Sequence, residues 1–264
     1  MKKFLTVCLA VVSLCSCGGN KVEPKVDLKQ AIEELTQWQQ AINAEFQQPG
    51  VNQDSLEQVY YAHLREVAQQ HIGDSLGLDI TANLAYTMSL AELDSVMNLC
   101  DMYKNESHFQ RLRQAKLAEE ATAVGKQYID IEGIDAKTDK PLKLSDIVGN
   151  GKPTIVDFWA SWCGPCRQEI SRSLSAYAPQ YAGKVNFVGI AVWENSIDDT
   201  KGAMAQLPIS WPIIFAGDRT NSPAEKYGIV SIPQILLIGA DGTIKARNLR
   251  GSAIDAAIKA ELGL

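Results

Sequence analysis

The sequence lacks several things that would assign it to common classes. Its three histidines, His63, His71 and His108, include no closely spaced pair, and there is no second Cys-x-x-Cys, so the four ligands of a structural zinc site are missing. No Lys/Arg-rich run occurs and the formal net charge is -6, which leaves no electrostatic footprint for a polyanion; nucleic acid is not an expected partner. Cysteine is scarce beyond position 17: only Cys100, Cys163 and Cys166 remain, and three thiols cannot form a disulfide scaffold.

What is present describes a folded chain. Hydrophobic residues make up 46% and charged residues 21% of 264 positions, an ordinary globular balance, and at about 150 residues per domain the length suits two domains. Met1-Lys2-Lys3 is followed by thirteen uncharged residues, Phe4 to Ser16, too few for the roughly 20 of a spanning helix and suited to a secretory h-region. The run Leu14-Cys15-Ser16-Cys17 resembles the bacterial lipoprotein signal, with a small Ser before the cysteine. That resemblance implies a signal peptide over 1–16, a lipid on Cys17, a polar tether over 17–26, and an exported protein anchored to a membrane and facing the periplasm. An ordinary cleaved export signal would leave the compartment unchanged.

From Asp27 to Phe46 the apolar positions Leu28, Ile32, Leu35, Ile42 and Phe46 recur at helical spacing, and Gln48-Pro49-Gly50 stops the run. Ser55 to His71 and Glu106 to Ala123 read as further helices, and Ser89 with Glu92 has the capping-box pattern at the start of another. Cys100 falls with Leu90, Leu93 and Met97 on one helical stripe, which predicts a buried core thiol. Residues 27–123 are therefore expected to form a small all-helical domain, with the stretch between Gly73 and Thr87 unassigned.

After Gly125 the texture changes. Tyr128–Ile131, Thr154–Trp159, Val185–Val192, Pro212–Phe215, Gln234–Ile238 and Thr243–Asn248 are β-rich runs separated by helical stretches, predicting an α/β sheet with parallel pairs over 124–264. Asp241-Gly242 predicts a hairpin and an antiparallel edge, and Ser252 to Leu262 a closing helix.

Cys163-Gly164-Pro165-Cys166 ends one of these runs. Two residues between cysteines close too small a loop to constrain an unfolded chain, so the pair suits chemistry better than stapling. The whole run Thr154-Ile155-Val156-Asp157-Phe158-Trp159-Ala160-Ser161-Trp162-Cys163-Gly164-Pro165-Cys166-Arg167 resembles the thioredoxin active-site strand and turn, and Tyr227-Gly228-Ile229-Val230-Ser231-Ile232-Pro233 resembles the family's cis-proline segment. Together with the lipoprotein start, the chain resembles extracytoplasmic thiol-disulfide oxidoreductases of the TlpA and ResA type. A thioredoxin-like fold over 124–264 is the expected architecture, a central mixed sheet flanked by helices and preceded by the helical domain.

The position of Cys163, after an apolar strand and at the opening of a helix, sets its sulfur against unpaired N–H groups and the positive end of the helix dipole, which favours a nucleophilic thiolate. Cys166, a turn further in, is placed to resolve a mixed disulfide. Asp157, an acid in an apolar strand, matches thioredoxin's buried aspartate and is expected to exchange a proton with Cys166; a solvent-facing strand-end Asp is the alternative. Glu169 corresponds to a carboxylate beside the active site in ResA-like proteins, or is simply a solvated helix-face residue. Which of the two acids handles the proton stays open. Trp162, Gly164, Pro165, Ile232 and Pro233 are expected substrate contacts, with the Ile232 backbone pairing an extended segment as an added strand. The family usually carries a proline where this chain has Ser171, so a less kinked active-site helix is expected.

The resemblance implies a reductase or isomerase of disulfides in exported proteins, an activity that in ResA-like proteins extends to cytochrome c maturation. It implies protein thiols or disulfides as substrates, a membrane electron donor for a reductase, no metal, and no cofactor besides the redox-active pair Cys163–Cys166. A thiol peroxidase and a redox-passive adaptor built on the helical region are the competing classes.

Overall fold

The computed structural model describes residues 27–217 and 222–264. The expected signal peptide, the tether and Cys17 lie outside the described residues. No described helix is long and apolar enough to cross a membrane. The chain forms two compact units, one ending at Gly77 and the other running from Leu78 to Leu264.

The first unit is a helical hairpin. Helix α1 (Leu28–Phe46) is capped by the Asp27 side chain, which accepts from the Lys29 N–H, and α2 (Gln53–Gln70) by Asn52, which accepts from Ser55. Caps of this kind are each worth about 1 kcal/mol. Ala31, Leu35 and Ile42 of α1 and Leu64 and Ala68 of α2 are buried, whereas Ile32, expected on the same stripe, is exposed. Trp38 stacks on Tyr60 and packs against His63.

The second unit begins with helices. The stretch left unassigned by the sequence folds as α3 (Ser75–Leu84) and a 3₁₀ turn, Ala85–Thr87. Helices α4 (Leu90–Met97), α5 (Asp101–Asn105) and α6 (Ser107–Ala121) follow, and Ser89 and Glu92 make both bonds of the capping box. Leu93, Met97, Tyr103, Phe109 and Leu112 form their core. Cys100 departs from expectation: α4 stops at Met97, so the cysteine leaves the helical stripe for the N-cap of α5 and is only partly buried against this core. The compositional change at Gly125 falls inside this unit.

The sheet has seven strands in the order β2-β1-β5-β4-β3-β6-β7. β3 (Thr154–Trp159), β4 (Asn186–Ala191) and β5 (Ile213–Phe215) run parallel. β6 (Gln234–Ile238) joins β3 antiparallel and continues into β7 (Ile244–Ala246). At the other side β1 (Glu132–Asp135) and β2 (Pro141–Lys143) form an antiparallel edge. The first strand thus starts after the expected Tyr128–Ile131 run, and its partner β2 was not anticipated, being short and led by a proline that is tolerated only at such edges. Between β6 and β7 the Asp241-Gly242 turn closes with Gly242 in the left-handed region, at φ 81°.

All six residues of β3 are buried, because helices or loops cover both faces of the sheet centre. Alternation sends Ile155 and Trp159 into one core with Cys163, Cys166, Ile170, Leu174, Ile254 and Ile258, and Val156 and Phe158 into another with Ile190, Leu236 and Tyr227. Truncating one such residue, Phe158→Ala, costs about 3–5 kcal/mol. By the same period Asp157 faces the first core, beneath the dithiol.

Helix α6 lies against the Glu225–Tyr227 turn that leads into the Ile232–Pro233 segment. A Cβ at Gly228, whose φ is 64°, would come within 2.2 Å of the Ala115 carbonyl, so only glycine permits this approach. Arg247 closes the junction by donating to the carbonyls of Thr122 (2.6 Å) and Tyr227 (2.8 Å).

Candidate active site

The chain leaves β3 through Ala160-Ser161-Trp162 and turns into α7 (Gly164–Glu169), with Cys163 as the N-cap. The Cys163 N–H donates to the Ala160 carbonyl at 3.1 Å, and the Cys163 sulfur accepts from the Cys166 N–H at 3.2 Å. Pro165 occupies the first helical turn, where a missing N–H costs nothing. Cys163 and Cys166 form a disulfide, and Cys166 is the more deeply placed, 0% exposed against 4%. Gly164, Pro165 and Trp162 are exposed beside them, and the Trp162 indole N–H donates to the Trp193 carbonyl at 3.0 Å.

The expected straightening of the helix at Ser171 does not occur. The segment Ile170–Leu174 is a π-helical stretch between α7 and α8 (Ser175–Gln180), so wide turns break the helix where a proline would otherwise kink it.

Asp157 is 2% exposed and its Oδ1 has no hydrogen-bond partner. Burial pushes its carboxyl up to about 8, opposed by the positive charge of Arg250 and reinforced by the negative charge of Glu169. A solvent-facing strand-end aspartate is therefore ruled out. Glu169 is not simply solvated either: its Oε1 accepts from the Gly251 N–H at 2.7 Å. Glu169, Pro165, Pro233, Arg250 and Gly251 line a groove of about 350 Å³ beside the dithiol. The Ile232–Pro233 bond is cis, with Ile232 half-buried and Pro233 buried.

Sequence reasoning missed two charged residues. Glu194 is completely buried; its Oε1 accepts from the Ser161 N–H at 2.6 Å and its Oε2 from the Ser161 hydroxyl at 2.7 Å. A signal for it existed, because β4 runs parallel to β3 in the register Trp159↔Ala191, so residues just past both strand ends meet outside the sheet. Arg250 donates to the Pro233 and Leu249 carbonyls and had no such signal.

Residues 124–247 match the AhpC/TSA family. Among curated proteins, the chain is 34% identical over 94 residues to a thioredoxin of Haemophilus influenzae, covering 36% of this chain and 64% of that protein. It is 32% identical over 130 residues to the thiol:disulfide interchange protein CycY of Rhizobium leguminosarum bv. viciae, covering 48% and 66%. A further relative is the thiol-disulfide oxidoreductase ResA of Bacillus subtilis, 28% identical over 131 residues, covering 47% and 70%. The chain spans less than two thirds of the thioredoxin and of CycY. With the strand order and the dithiol turn described above, these matches show that residues 124–247 are similar to the AhpC/TSA family and to thioredoxin-like thiol-disulfide oxidoreductases.

Proposed function

We propose that this protein is a thiol-disulfide oxidoreductase acting on protein thiols or disulfides outside the cytoplasm. The observation that carries the reading is a buried Asp157, one of whose carboxylate oxygens lacks a hydrogen-bond partner, in the strand that leads to a Cys163–Cys166 pair opening a helix. In the reducing direction the Cys163 thiolate attacks one sulfur of a substrate disulfide. That S–S bond breaks, the departing sulfur leaves as a thiolate and takes up a proton, and a Cys163–substrate mixed disulfide remains. In molecules whose Asp157 is ionised, Cys166 then gives its proton to that carboxylate and attacks the Cys163 sulfur, expelling the second substrate thiolate. Two electrons pass from dithiol to disulfide, and an outside dithiol donor restores the pair. The chemistry needs no cofactor beyond the cysteines.

Asp157 suits the proton step better than Glu169, because a carboxyl near 8 can both take and return a proton at neutral pH. Glu169 is engaged with Gly251 and acts on Asp157 by charge. Ile232, beside the cis-proline, offers backbone for an added substrate strand, with exposed Trp162, Gly164 and Pro165 as the facing contacts. The leader and Cys17 support export and lipid anchoring at a membrane, where a reductase would meet its electron donor. The relatives named as a thiol:disulfide interchange protein and a thiol-disulfide oxidoreductase support thiols or disulfides as substrates.

A trapping experiment tests the reading. Cys166→Ala should accumulate a mixed disulfide with a reporter such as insulin, and Cys163→Ser should accumulate none. Failure of Cys166→Ala to trap any disulfide substrate refutes exchange, and turnover of peroxide by that same variant would point to a thiol peroxidase instead.

A further inference from the structure

The turn between β7 and α9 (Ser252–Leu262) has an unusual backbone. Asn248 and Gly251 take left-handed φ values of 58° and 50°, and Gly251 has ψ -126°, a combination that L side chains rarely adopt. The turn presents two successive residues to the two walls of the groove beside the dithiol. The Arg250 guanidinium donates through one nitrogen to the Leu249 carbonyl at 2.6 Å and through the other to the carbonyl of Pro233. Gly251 donates its N–H to Glu169 at the end of α7. The active-site helix and the cis-proline segment, far apart in sequence, are thereby tied to one turn.

The same turn brings charge to Asp157. Its neighbours across the sheet, Gly189 and Ile235, are uncharged. On the helical layer, Arg167 is committed to the Ser161 carbonyl and the Gln206 side chain, and Asp255 of α9 is paired with Lys259 at 2.7 Å. Arg250 and Glu169 are the charges that act on Asp157, in opposite senses.

We propose that Arg250 is a positioning residue of the dithiol site: by tying the Pro233 carbonyl to the turn whose Gly251 N–H holds Glu169, it keeps the Ile232 segment in register with Cys163 and sets its guanidinium beside the groove above Asp157. The inference rests on the thiol-exchange reading of the site. A bidentate, planar guanidinium suits this double task, since one face of the fork fixes carbonyls while the charge stays delocalised over the groove. Lysine could supply the charge but not the fork.

The test follows the Asp157 carboxyl by ¹³C NMR across pH in the oxidised full chain, alongside steady-state reduction of insulin. The unmodified protein should titrate at Asp157 near 8. Arg250→Gln should move that midpoint up by about one pH unit and Glu169→Gln should move it down, as expected for loss of an opposite and of a like charge. Arg250→Lys should restore the midpoint while leaving KM for insulin raised. An unmoved midpoint in Arg250→Gln overturns the inference. If that variant loses its near-UV dichroism, Glu169→Gln and Arg250→Lys decide: an upward or absent shift in the first, or an unmodified KM in the second, overturns it. Absence of insulin turnover by the unmodified chain refutes the thiol-exchange reading itself, and the carboxyl titration, which needs no turnover, still reads the effect of Arg250 separately.

Discussion

The turn above the dithiol and the strand beneath it each bury one carboxylate, and the two are treated in opposite ways. Glu194 is wholly enclosed yet both its oxygens accept bonds from Ser161, so its charge is compensated by donors already in place. Asp157 is almost as deeply enclosed, with one oxygen left unpartnered, and burial drives its carboxyl towards the neutral form. A satisfied buried acid acts as a structural pin, whereas an unsatisfied one carries a desolvation cost, which fits the proton-exchange role proposed for Asp157.

The largest way to break the comparison is through pH. Asp157 binds a proton in the folded state up to about pH 8, while in the unfolded chain it loses it near the ordinary aspartate value of 3.8. Between these values the folded state holds more protons, so its stability is greatest below the lower value and declines as pH rises, by about 1.4 kcal/mol per pH unit from this group. Asp157→Asn should remove that slope in denaturant titrations of the oxidised protein between pH 5 and 8, and should slow turnover at the resolving step. Next in size, Glu194→Ala leaves the Ser161 N–H without an acceptor and should cost about 3 kcal/mol in denaturant titration. Smallest, Ser161→Ala removes only the hydroxyl bond to Glu194 and should cost about 1 kcal/mol by the same denaturant measurement.

What the sequence made legible and what it hid follow from range. β3 and the Cys163 turn could be read because a buried parallel strand is a continuous apolar run, and an acid inside it is conspicuous. The capping box at Ser89 was legible because both partners lie within four residues. Glu194 and Arg250 act across 33 and 17 residues, on Ser161 and Pro233; only the pairing of β3 with β4 marks the first, and nothing local marks the second. β2 was missed because three residues with alternating exposure carry too little pattern, and Cys100 was misplaced because a helical period continued on paper past the end of α4. The π-helical break after Glu169 depends on packing, which Ser171 alone does not announce.

The most direct test of the central claim is the equilibrium reduction potential of the Cys163–Cys166 pair, titrated against defined thiol buffers in protein beginning at Gly18. A reversible two-electron couple is expected at about −250 mV or lower, near the thioredoxin end of the range. A value near about −120 mV would make the protein an oxidant of exported thiols, and the absence of any reversible couple would contradict the account outright, leaving the helical region of a redox-passive adaptor as the explanation to pursue.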